Sequence, residues 1–249
     1  MATIERGEAA ARGARRDEIP ARSAQRYARV AGVLILVSLL AGLFGEVYVP
    51  NATLGVDAGA LGRHSALLRA GAAAYLLEAL CDVSLTLIFF VLFRPVSRNM
   101  ALLAAFFRLE ATAVFGASEF FYLTAVLASG GPASLKTIPQ DQLRALMHFS
   151  FEVYASGSSN MVFYGAGAIV IGWLIWRSGF LPKVLGALWV VGGLGMVANA
   201  FATVAAPPLA RFWELVPLLA AMLALAVWFL ARGINTARWE ELRPEGGRI

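Results

Sequence analysis

Cysteine, histidine and lysine are nearly missing from this 249-residue chain. The one cysteine, Cys81, lies inside an apolar block, so no intramolecular disulfide is possible. With two histidines, His64 and His148, three-histidine zinc sites fail by count. A serine–histidine pair at membrane depth fails as well, because neither histidine lies there. An intramembrane aspartyl pair needs two aspartates at matched depth, and Asp82 is the one aspartate within an apolar block. No glycine-rich phosphate loop occurs. Charge is also scarce, at 15% of residues against about 25% in soluble domains. These absences weigh against an enzyme while leaving carboxylate-only chemistry open, and no catalytic residue, metal ligand set or cofactor is nominated.

Apolar sequence is abundant instead: 59% of residues, with mean hydropathy +0.69. It is gathered in blocks of about 20 residues, the length that crosses about 30 Å of hydrocarbon as a helix. The blocks are 30–49, 67–93, 100–128, 157–176, 184–205 and 212–231. Residues 140–156 form a helical extension of the fourth, which starts after Pro139 with Asp141 in its first turn. Breakers separate the blocks at Arg94-Pro95, Ser129-Gly130-Gly131-Pro132, Gly179 with Pro182, and Pro207-Pro208. A secretory signal is the competing reading of the first block, which is longer than a signal's apolar region and follows too long a polar stretch. The expected fold is all-α: a polytopic membrane protein, one bundle of six transmembrane helices. Residues 1–29 form a basic tail, mobile or on the membrane surface, and residues 233–249 a polar tail.

The cationic residues give the topology. Seven lie in the N-terminal tail, two in 94–99, two in 177–183 and four from Arg232 to the C-terminus. Arg63, Arg69, Lys136, Arg144 and Arg211 lie on the other side, and Arg108 lies within the membrane. The imbalance predicts that both termini are cytoplasmic. The net charge of +5 is therefore matched to anionic lipid headgroups near the N-terminal tail, not to nucleic acid. A multi-pass protein of the cell membrane, the inner membrane of a bacterium, is the expected location. Trp173, Trp176, Trp189, Trp213 and Trp228 lie mostly toward block ends, as in aromatic belts.

Ionisable residues inside the blocks are the candidate site. Counting from the cytoplasmic arginines puts Arg108 about 15 Å deep, Asp82 and Glu110 about 18 Å, and Glu78 about 24 Å. Asp82 and Arg108 match in depth on antiparallel neighbours, so an ion pair is predicted. Glu78 shares the Asp82 face at i, i+4 and leaves one negative charge to be met by a proton, a cation or water. Glu110 points away from Arg108, and polar groups on two faces predict that the third helix is central. An outer polar rim comprises Glu46, Glu119, His148, Glu152, Asn160 and Tyr164. His148 and Glu152 at i, i+4 permit metal ligation. A wet interfacial pair is the plainer account, just as the Ser156–Asn160 cluster with Tyr164, which could line a cavity, reads first as helix-packing glue.

Two runs of residues carry a resemblance. One comprises Leu80-Cys81-Asp82-Val83, Leu92-Phe93-Arg94-Pro95-Val96 and Leu102-Leu103-Ala104-Ala105-Phe106-Phe107-Arg108-Leu109. The other comprises Ser178-Gly179-Phe180-Leu181-Pro182-Lys183-Val184-Leu185-Gly186 and Gly192-Gly193-Leu194-Gly195. Over roughly residues 27–234 the chain resembles the bacterial membrane proteins grouped as domain of unknown function 4386. The resemblance implies a multi-helix inner-membrane protein and supplies no catalytic residues. Where relatives often carry histidine and glycine on the fourth helix, this chain has Glu152-Val153-Tyr154.

Three functions follow as expectations. The first is a membrane protein that binds or moves a small solute or ion through a charged interior site. The second is a structural or regulatory subunit in which the buried charges only clamp helices. The third is an intramembrane enzyme. The oligomeric state is open.

Overall fold

The computed structural model describes residues 20–54, 58–128, 137–156, 161–206 and 216–242. Tail residues 1–19 and 243–249, Ser129–Lys136, 157–160 with Asn160, and Pro207–Leu215 lie outside these, as do the side chains of Arg63 and His64.

The described chain is helical and, among the described residues, has no strand. Helix α1 (Ala21–Gly42) runs through a π-helical turn, Leu43–Tyr48, into α2 (Val49–Leu54). Then come α3 (Ala58–Phe93), α4 (Arg98–Ala128), α5 (Gln140–Ser156), α6 (Met161–Ser178), α7 (Lys183–Ala205), α8 (Val216–Ala231) and α9 (Thr236–Glu241). Five stretches are long and apolar enough to cross a membrane: Ala21–Thr53, Ser65–Phe93, Arg98–Thr124, Met161–Ser178 and Lys183–Ala205. Helix α8 is apolar but shorter. The first helix starts well before residue 30, with Ala24 and Ala28 fully buried.

The pattern of burial is that of a protein in lipid. Phe120 is 71% exposed and Leu80 69%, while Arg108 is 3% exposed and Asp82 7%. Apolar side chains outside and an ion pair inside suit hydrocarbon, where interior contacts are made by packing and hydrogen bonds.

Helices α1, α3, α4, α6, α7 and α8 neighbour one another in that cyclic order, α8 returning to α1. The tightest contact is α6 on α7. Gly165 faces Gly193 and Gly172 faces Gly186, each pair seven residues apart along its helix, and a Cβ on Gly193 would fall 2.6 Å from the Gly165 carbonyl oxygen. Small residues let the two backbones touch, as in other lipid-embedded helix pairs. One core cluster centres on Phe89, Trp189, Leu225 and Phe229. A second, of Val49, Leu68, Tyr122, Val126 and Met147, joins α2, α3, α4 and α5.

The expectation of a central third helix is overturned. Along the most apolar stretch of α4, 22% of residues are buried, against 50% in α3 and in α6. Helix α4 holds Arg108 inward and presents Phe106, Leu109 and Phe120 outward. Glu110 points outward with them, so it marks an outer face and not a second interior one.

The segment after α8 is also more than a polar tail. Gly233, at φ 70°, turns the chain back, and Asn235 caps α9 by accepting a hydrogen bond from the Arg238 amide. Trp239 is buried and its indole N–H donates to the Leu92 carbonyl at 2.9 Å. Gln25 of α1 donates to the Arg232 carbonyl and accepts from the Ile234 amide.

Candidate interior site

Helix α1 changes pitch where the site begins. Pro50 has no amide hydrogen, and its ring crowds the carbonyl four residues back, that of Glu46. The chain widens instead into the Leu43–Tyr48 turn, and the Val49 amide bonds to the Phe44 carbonyl five residues back. Widened turns of this type recur at functional sites. Here the turn carries Glu46 to within hydrogen-bonding reach of Glu78 on α3. Gly42 makes room for that approach: a Cβ there would lie 2.9 Å from Glu78 Oε1.

Asp82, one turn along α3, accepts a hydrogen bond from Arg108 Nη2 at 3.0 Å. Arg108 Nε donates to Thr86 Oγ1 at 3.3 Å. The Arg108 guanidinium also lies 5.0 Å from the Tyr164 ring centroid and 5.5 Å from that of Phe89. The ion pair expected from matched depth is therefore present. It is reinforced by Thr86, by two aromatic faces, and by Ser38, which hydrogen-bonds Asp82 from α1.

A cavity of about 150 Å³ adjoins these groups. Ser38, Glu46, Glu78, Asp82, Thr112 and Tyr164 give it a polar side, and Leu39, Leu43, Phe115, Met161, Met196, Leu219 and Met222 an apolar one. Every member of the ring α1, α3, α4, α6, α7 and α8 contributes to its wall. Tyr164, expected on an outer rim, is part of the buried network: it contacts Arg108 and reaches Met222 Sδ at 3.7 Å.

The acidic groups continue past the cavity. Glu119, 5% exposed, hydrogen-bonds Tyr154 of α5 through one oxygen, while Oε1 is buried without a partner. Burial first, then the nearby Glu46 and Glu119 carboxyls, pushes the Tyr154 phenol above its ordinary range. Tyr75 is 6% exposed, packs edge-on against Phe115 with centroids 4.6 Å apart, and leaves its hydroxyl unpartnered. Glu46, Glu78, Asp82 and Glu119 thus share one neighbourhood, beside the buried Arg108 guanidinium that Asp82 binds.

The remaining candidates lie elsewhere. His148 is half-buried and Glu152 exposed on α5, and among the described residues no group of three metal-ligating side chains exists.

The family model described as "Domain of unknown function (DUF4386)" matches residues 30–233. The chain belongs to this family. Its match starts within α1 and ends at Gly233, so it contains the ring of helices and all of the interior acids. An "Uncharacterized protein" of Archaeoglobus fulgidus is 24% identical over 131 residues, covering 53% of this chain and 60% of that protein. The chain thus spans less than two thirds of that relative's length. No solved structure matches.

Proposed function

We propose that this DUF4386 protein binds a small solute or ion inside its bundle, and that the acid-rich cavity is the binding site. The observation that carries the reading is the surplus of acid at the cavity wall. Asp82 is answered by Arg108, but Glu46 and Glu78 meet each other, and Glu78 Oε2 is buried without a partner. A purely structural clamp needs the Asp82–Arg108 pair; it needs neither a second carboxyl pair nor a void beside it. Ionisable side chains at membrane depth are costly and commonly mark ligand or ion paths.

The same reading takes α8, with the apolar residues just before it, as a sixth crossing. Both ends are then cytoplasmic, by the excess of arginine in the tails and in the 94–99 and 177–183 turns. It places the protein in a bacterial inner membrane, with anionic lipid against the N-terminal arginines. Neutral and anionic vesicles mixed with protein lacking residues 1–19 test that last point: unchanged lipid association removes the tail's role.

Native mass spectrometry of the full chain released from mild detergent tests the site. The parent and the Glu46→Gln/Glu78→Gln double variant, which removes the surplus acid and keeps the Asp82–Arg108 pair, are compared. An added mass on the parent and not on the variant supports the site. Bare ions from both, or equal adducts on both, transfer the charges to a clamp role.

A further inference from the structure

We propose that the cavity takes a monovalent organic ammonium ion with an apolar body of about benzene size, bound at the Glu46 and Glu78 carboxyls in exchange for a proton. This rests on the binding-site reading above and adds the chemistry of the ligand.

Three independent features point to it. The first is charge. Glu46 and Glu78 are in mutual hydrogen-bonding reach beneath lipid-facing helices, where two bare carboxylates repel strongly. One proton or one cation between them removes that repulsion. Arg108 does not serve, because Asp82, Thr86 and Tyr164 already take up its guanidinium.

The second is the set of unanswered polar atoms. Glu78 Oε2, Glu119 Oε1 and the Tyr75 hydroxyl are all buried without hydrogen-bond partners. Tyr75 and Glu119 are each more than nine-tenths buried, and both lie in the electrostatic neighbourhood of Glu46. Buried polar atoms without partners are uncommon in native proteins, and a bound donor is one explanation. An ammonium group offers hydrogen-bond donors to acceptors of this type.

The third is the shape and lining of the void. A bare alkali ion needs a shell of oxygens, whereas much of this wall is Leu39, Leu43, Phe115, Met161, Met196, Leu219 and Met222. An apolar cavity of about 150 Å³ accommodates a benzene molecule. Methionine adapts to irregular apolar ligands, and three of the lining residues are methionine. The geometry therefore separates a carboxyl end from an apolar end, as an amphipathic cation requires.

The exchange balances in charge. The ammonium enters with its own protons, the proton shared by Glu46 and Glu78 leaves to water, and no covalent bond is made or broken. The groups around the pair are Ser38 on α1, Tyr75, Cys81 and Asp82 on α3, Glu119 on α4, Tyr154 on α5 and Tyr164 on α6, with Arg108 one step away on Asp82 and Tyr164. Asp82 and Arg108 offset each other, so the exchange falls on Glu46 and Glu78.

The test is calorimetric titration of the full chain in neutral detergent with benzylammonium, benzyl alcohol, and sodium or potassium chloride. Two buffers of different ionisation enthalpy and two pH values about one unit apart count the protons released. Expected are binding of benzylammonium with release of one proton, and affinity about tenfold higher at the higher pH. Benzyl alcohol and the alkali ions should bind at least about tenfold more weakly, and Glu78→Gln should lose the proton release. Leu219→Trp, which fills the apolar end and keeps both carboxyls, should abolish binding even if Glu78→Gln does not fold. Equal binding of benzyl alcohol, or binding of alkali ion alone, overturns the ammonium assignment and leaves the interior site standing. Absence of binding by every probe overturns the ammonium assignment, and bare ions from the parent in the mass-spectrometric comparison overturn the site itself.

Discussion

Neutralising Arg108 is the perturbation whose size follows most directly from the structure. Arg108→Gln leaves the Asp82 carboxylate at 7% exposure with its charge partner removed. Breaking a buried pair from one side costs about 3–5 kcal/mol. Loss of the guanidinium from the Tyr164 and Phe89 rings adds about 0.5–2 kcal/mol. Asp82→Asn should cost about 3–5 kcal/mol by the same reasoning, since it strands the cation. The double variant restores a neutral amide pair that can still hydrogen-bond to Thr86 and Ser38. It should recover a coupling of about 2–3 kcal/mol relative to the sum of the singles, near the top of the range for directly contacting residues. Equilibrium unfolding in mixed micelles, followed by tryptophan fluorescence, measures all four proteins. Additivity of the two singles would refute the reasoning, because it would mean that the side chains do not depend on each other.

Four further outcomes are expected. Gly193→Val puts methyl groups into the α6 backbone and should cost at least about 1–3 kcal/mol, read by the same unfolding measurement. Trp239→Ala removes a buried ring and its bond to Leu92, at a cost of about 3–5 kcal/mol; limited proteolysis should then cut beyond Ala231, where the parent resists. Tyr154 is held in its protonated form, so the native state retains a proton that the unfolded phenol gives up near pH 10. Stability should therefore fall as pH rises past about 10, and Tyr154→Phe should flatten that slope in a pH series of unfolding midpoints. Pro50→Ala returns a donor to the Glu46 carbonyl and should let the widened turn relax toward regular helix, turning Glu46 from Glu78; benzylammonium affinity should drop while thermal stability holds.

Much of the helical layout was legible because hydrocarbon permits few backbone arrangements, and blocks of about 20 apolar residues report it directly. The Asp82–Arg108 pair was legible for a related reason: a short turn makes α3 and α4 antiparallel, so depth alone brings the two together. Glu46 was placed on the rim because counting along a regular helix cannot register the wider turn at Leu43–Tyr48. Its clues were Pro50 and the glycines at 42 and 45. Tyr164 was grouped with the rim although it could line a cavity, as it does; its contact with Arg108 was hidden because that partner lies on another element. Glu110 shows the converse error. Polar residues on two faces suggest surrounding protein, yet the outward face of α4 carries Glu110 beside Phe106 and Leu109. The α9 latch was hidden by its composition, since one tryptophan among polar residues has no periodicity; Gly233 followed by Asn235 was the available signal.

The ring of helices closes between its first and last members. Helix α1 meets α8, and Gln25 is bonded to the chain at Arg232 and Ile234. The two Gln25 bonds join residues more than two hundred positions apart. During synthesis the wall beside Glu46 and Ser38 is therefore open until Leu218, Leu219 and Met222 have been made. A nascent chain halted before α8 presents its acid cluster to lipid instead of to protein, a state that holding factors or proteases can recognise. Assembly quality is thereby tied to completion of the final helix, and a small change near residue 220 can reduce the amount of protein present without touching any ligand contact.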